Sequence, residues 1–167
     1  MKNLALLFLM VAASAVSAQD YFYLEDVRLK KESDFTDNEA NLVKAVDYML
    51  STPTDASNMD RKACTRFIIR YAEKHPTITI LLQSYIIKVY DQNPDLLQTY
   101  MGLWVKHAID NPTARQEVIE VLIFGDIYTY AKAGNNIVKT DLIKSLITAG
   151  DDDTIDEWLV ELKKKEE

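Results

Sequence analysis

The chain has 167 residues, with 19 Lys and Arg against 26 Asp and Glu, for a formal net charge of −7. An acidic chain without long basic clusters is a poor partner for nucleic acid, since phosphate binding is driven by Lys and Arg displacing counterions. Its single cysteine, Cys64, permits no internal disulfide, so packing alone must hold the fold.

Lys2 forms a short positive start, and Leu4 to Val16 follow as 13 apolar or small residues without charge. Val16 and Ala18 place small residues at the −3 and −1 positions of a cleavage site, completing the three-part pattern of a secretory signal. The run is shorter than the roughly 20 apolar residues that a membrane-spanning helix needs. Residues 1–18 are therefore expected to be a cleaved signal peptide, cut between Ala18 and Gln19. The expected location is periplasmic or extracellular, with no integral membrane segment after cleavage and no cysteine at the new terminus to carry a lipid.

Residues 19–35 fit neither the helical nor the strand period. Tyr21, Phe22 and Tyr23 make this an irregular aromatic arm, expected to pack back on the body. Residues 36–167 read as one helical domain. Its first helix is expected from about Asp37 to Ser51, opened by a Thr36/Glu39 capping box and carrying Leu42, Val46, Met49 and Leu50 inward. Thr52-Pro53-Thr54 stops it.

Pro76, Pro94 and Pro112 are spaced 18 residues apart, each preceded by His or Asn. Proline disfavours the helical conformation in the residue before it, so each marks a helix boundary. The segments before them align as Phe67–Arg70, Tyr85–Lys88 and Leu103–Lys106, which points to a quasi-repeat of one helix plus a tight turn. A helix over 77–91, apolar nearly all round, is expected in the core, followed by helices over 95–110 and 113–132. Asp95 with Gln98, and Thr113 with Gln116, read as the starts of the latter two. Gly134-Asn135-Asn136 ends the fifth helix. A sixth turns Val138, Leu142, Leu146 and Ile147 inward and ends at Gly150. A Thr154/Glu157 capping box opens the last, with Lys163 to Lys165 complementing its dipole.

Few residues suggest chemistry. His75 and His107 lie near helix ends, where a cation is favourable, and neither has a second ligand one turn away. Cys64 and His75 are 11 residues apart on one helix. That is about 16 Å, too far for a nucleophile and its base. Cys64 reads as a buried, inert thiol. Asp151, Asp152, Asp153, Asp156 and Glu157 miss the EF-hand spacing and read as solvated charge at a helix start. Glu117, Glu120 and Asp126 read as a solvent face. Arg70, Lys88 and Lys106 occupy equivalent places as cations near helix C-termini. Nucleophile elbows, phosphate-binding glycine loops and dinucleotide fingerprints are missing. Catalytic, cofactor-binding and metal residues are thus expected to be none.

The sequence implies an all-α protein of about seven antiparallel helices, arranged as a short solenoid-like hairpin array or an up-down bundle. The expected function is an exported, non-catalytic interaction module with a protein or peptide partner. The alternatives are a small carrier or chaperone for an apolar ligand or peptide, or an enzyme without a recognisable motif. N-terminal sequencing of the exported protein should begin at Gln19; an intact Met1 would overturn the localisation.

Overall fold

A computed structural model describes residues 20–165; the expected signal peptide and its expected Ala18–Gln19 cleavage point lie outside the described residues. Among the described residues the chain is all-helical. A 3-10 helix at Phe22–Asp26 precedes α1 (Glu32–Thr36), α2 (Glu39–Ser51), α3 (Met59–Lys74) and α4 (Ser84–Tyr90). Then come α5 (Pro94–Asp110), α6 (Gln116–Lys132), α7 (Asp141–Asp151) and α8 (Ile155–Lys164). No helix among these residues is long and apolar enough to cross a membrane.

The aromatic segment is ordered by its own polar contacts. Arg70 of α3 donates to Leu24 O at 2.6 Å, which lies in the 3-10 helix, and Tyr21, Leu24 and Leu29 are buried. Arg70 therefore clamps this segment rather than merely ending a helix. The eighth helix, α1, arises at the end of the segment expected to be irregular. Asp34 Oδ2 accepts the Lys30 and Lys31 amides at 2.8 and 3.1 Å and opens α1, which starts at Glu32, ahead of Thr36. Thr36 then closes α1 instead of capping α2, whose N-cap is Asn38.

The largest departure lies between α3 and α4. The expected helix over 77–91 is only Ser84–Tyr90. Thr77, Ile78, Thr79 and Ile80 are β-branched residues that lose side-chain freedom in a helix. His75 Nδ1 also accepts the Thr77 and Ile78 amides at 3.4 and 3.1 Å, an alternative to helical bonding. Tyr85, Ile86, Val89 and Tyr90 turn inward, while Leu81, Leu82 and Ile87 are 51, 40 and 51% exposed. The expected central core helix is thus half surface. Helices do end before each proline, at Lys74, Tyr90 and Asp110, but their lengths are 16, 7 and 17 residues. α4 packs on α5, whereas α3 packs on α2 and α5. The sequence period records helix ends without producing equal units.

α5 is the central element, packed on α2, α3, α4 and α6, and α6 in turn carries α7 and α8. Gly102 allows the approach: a Cβ there would lie 2.8 Å from Val46 Cγ2 and 3.1 Å from Ile68 Cγ2. Arg61, 2% exposed, joins four elements. It donates to Met49 O and Thr52 O at 2.7 Å each and to Thr52 Oγ1 at 2.9 Å, filling carbonyls left open at the end of α2. It also pairs with Asp95 of α5, and Tyr130 of α6 donates to Thr52 O at 2.8 Å. Asp95 is therefore a partner for Arg61 rather than a cap, and neither α5 nor α6 has a side-chain cap bond at its start.

The other expected helix ends shift in the same way. Asn93 brackets the Val138 backbone, accepting its N–H at 2.8 Å and donating to its carbonyl at 2.9 Å. Val138 is consequently outside α7 and exposed, and Thr140 caps that helix by accepting the Ile143 amide at 3.2 Å. Gly150 is inside α7, not its left-handed cap; Asp153 takes the positive φ of 58°. Thr154 makes no capping bond to α8; its backbone and hydroxyl both donate to Ala149 O.

Gly150 faces the Tyr128 ring, and a Cβ there would overlap it, whereas a Cβ on Gly125 meets nothing within 4 Å. Gly150→Ala should therefore lower stability by about 1–3 kcal/mol through overpacking. Gly125→Ala, inside α6, should raise it by about 0.5–1 kcal/mol. Urea unfolding midpoints of the two variants check both signs.

Candidate functional site

A cleft of about 620 Å³ opens where the chain leaves α3. Phe35 of α1, Glu39 of α2 and the segment from His75 to Thr79 form one wall. Trp104 and Ile109 of α5, with Ile119 of α6, also line it, and Asn111, Pro112, Ala114 and Gln116 close the far side. The cleft exists because residues 75–83 do not continue as a helix against α5.

His75 holds this wall. Its ring packs edge-on against Phe35 at 5.2 Å between centroids and lies 5.6 Å from the Tyr71 ring. Tyr71 donates to Phe35 O at 2.8 Å, fixing α1 against α3. With Nδ1 accepting two amides, the neutral ring carries its proton on Nε2. Burial pushes the His75 pKa below its ordinary 6.5, opposed by the nearby Glu39 carboxylate. The expectation of a cation terminating α3 is thus corrected: burial favours the neutral imidazole, and its Nδ1 lone pair caps the following turn.

Three further groups in the cleft make no hydrogen bond or ion pair among the described residues. The Trp104 side chain is 5% exposed, and its indole N–H, which is not sealed from solvent, makes no hydrogen bond among the described residues. Glu39 is half-buried and Glu32 exposed, and neither carboxylate has a hydrogen bond or ion pair among the described residues. No Lys or Arg lines the cleft, so its field is negative.

Gln116 connects the cleft to the interior, donating to Glu120 Oε1 at 3.0 Å. Glu120 is fully buried, contrary to its expected place on a solvent face. Tyr85 donates to it at 2.6 Å, and Lys163 of α8 pairs with it while lying 5.6 Å from the Tyr85 ring centroid. α6 is wrapped by α5, α7 and α8, so it has no single solvent face. Lys163 accordingly serves as a counter-ion, beyond any complement to a helix dipole. The other two acids stay apart: Glu117 is exposed, and Asp126 pairs with His107 Nε2 at 2.8 Å across α5 and α6.

The remaining candidates are structural. Cys64 is buried, and burial, with a smaller contribution from Asp60, pushes its thiol up to about 12. That holds it protonated and unreactive at neutral pH. Asp151 accepts from Lys132 and Tyr128 at 2.5 and 2.7 Å, and Lys106 pairs with Asp47 at 2.9 Å. Among the described residues no group of three His, Cys, Asp or Glu side chains is placed to hold a metal ion. The meeting of His75, Glu39 and Trp104 is tertiary, and sequence reasoning missed it. The local signal for it was the β-branched run directly after His-Pro.

Because the folded chain favours neutral His75, it binds fewer protons there than the unfolded chain does below pH 6.5. The ring's contribution to stability is complete above that pH and is lost as the pH falls through the folded pKa. NMR titration of the His75 ring should give a midpoint below that measured in urea, and His75→Gln should flatten the stability profile between about pH 7 and pH 5. A folded midpoint at or above the urea value would contradict this role. No family model matches the chain, and neither do any of the curated proteins or solved structures compared with it.

Proposed function

We propose that the protein is an exported, non-catalytic interaction module that holds a peptide segment of a partner protein in the cleft beside α5. One observation carries the reading: the cleft presents unused hydrogen-bonding groups around an apolar floor. Trp104 offers a donor, and the amide of Thr79, which also lines the cleft, has no hydrogen-bond partner among the described residues. Unpaired groups beside Ile109 and Ile119 suit a ligand that brings both backbone polar groups and aliphatic side chains.

Binding rather than turnover is favoured because the histidine in the cleft already uses Nδ1 for two amides, and the buried thiol of Cys64 lies outside the cleft. Glu120, with its aromatic and lysine partners, is sealed in the interior and acts as a link between α6 and α8.

Peptides selected from a random display library against the purified protein should perturb the Trp104 indole signal and the Thr79 amide in NMR spectra. Ala108→Arg, which fills the cleft, should abolish their binding while the thermal midpoint stays within a few degrees. Peptides that map elsewhere, or a library that yields none, would refute the proposal.

A further inference from the structure

We infer that the occupant of the cleft is a basic peptide segment, with a Lys or Arg side chain seated at Glu39 and an aliphatic neighbour on the Ile109–Ile119 floor. This rests on reading the cleft as a peptide site and assigns the chemistry that it selects.

Glu39 stands apart from every other carboxylate that is buried or half-buried among the described residues. Asp95 pairs with Arg61, Glu120 with Lys163 and Asp126 with His107. Asp34 has Arg28 at 3.7 Å, and Asp60 accepts the Tyr21 amide at 3.2 Å. Glu39 has no such partner. Removing a carboxylate from water without a compensating donor is unfavourable, and a half-buried one is poised for a charge-assisted bond. Its charge is felt by the Tyr71 hydroxyl and by His75, whose ring is held toward the neutral form by burial, so neither is a cationic partner for it. The second carboxylate, Glu32, lines the same cleft and adds to the attraction.

Trp104 decides between a peptide and a free polyamine. Its indole N–H makes no hydrogen bond among the described residues and is not sealed from solvent, and a peptide carbonyl next to the basic residue would supply it with an acceptor. A protonated polyamine has only donors. The apolar floor likewise favours a chain carrying an aliphatic side chain beside the cation.

The test uses the purified protein and an acetylated, amidated, fluorescein-labelled heptapeptide, Ala-Leu-Lys-Leu-Arg-Leu-Ala. A version with Gln at both basic positions, one with Glu, and spermidine serve as comparisons. Binding is read by anisotropy for the labelled peptides and, for all four probes, by the shift of the Trp104 indole N–H. The basic peptide should bind at least about tenfold more tightly than the Gln version and weaken as salt is raised. Glu39→Gln should cost about tenfold, whereas Glu117→Gln, an exposed acid outside the cleft, should leave affinity unchanged. Equal binding of all three peptides at Trp104 would overturn the basic segment and leave the peptide site standing. An equal loss in both variants would overturn the role of Glu39, leaving only a diffuse field effect. Spermidine shifting Trp104 as strongly as the peptide would replace the peptide with a free polyamine. No perturbation of the cleft by any probe would remove this assignment, while display-selected peptides still mapping to the cleft would keep the broader reading.

Discussion

The His75–Pro76 break is the constraint from which the cleft follows. Pro76 disfavours the helical conformation at His75, and the ring then takes the amides of Thr77 and Ile78. Both effects act against continuing α3. Together they commit the chain to a non-helical path through Gln83, so α4 is a single short helix on α5. The space beside Trp104 is open and walled by Phe35 and Glu39.

An open cleft needs a rigid frame, and this chain builds one without a disulfide. Its one cysteine is free and buried, and contributes only packing. Close helix approach at Gly102 and Gly150 brings α5 onto α2 and α3, and α7 onto α6. Arg61 fixes the geometry polarly, tying the end of α2 to the starts of α3 and α5, with Tyr130 adding α6. Breaking a buried pair of this kind from one side costs about 3–5 kcal/mol, a large part of a domain's stability. The Glu120–Lys163 pair does the same for α8.

Much of this was legible in the sequence, and the losses have definite causes. Helix ends at Lys74, Tyr90 and Asp110 followed from the prolines, because that effect is local. The buried state of Cys64 followed from its apolar neighbours. The segment over 77–83 was misread because hydrophobic periodicity outweighed the poor helix propensity of four β-branched residues and the acceptor on His75. Glu120 was misread because a helix apolar all round gives no periodic clue to which polar residue is enclosed. Thr36 and Thr154 show the limit of short capping patterns: each has the right spacing, and each is drawn instead into the end of the preceding helix. The cleft itself combines residues from α1, α2, α5 and α6, a convergence that no local pattern encodes.

The central claim is that the chain between α3 and α4 is held out of the helix and so opens the cleft. Backbone carbon chemical shifts of the folded protein test it most directly. Non-helical values from Pro76 to Gln83, with helical values resuming at Ser84, are the predicted result. Helical values running unbroken from Thr77 to Tyr90 would contradict the account, because that helix would occupy the wall on which the cleft depends.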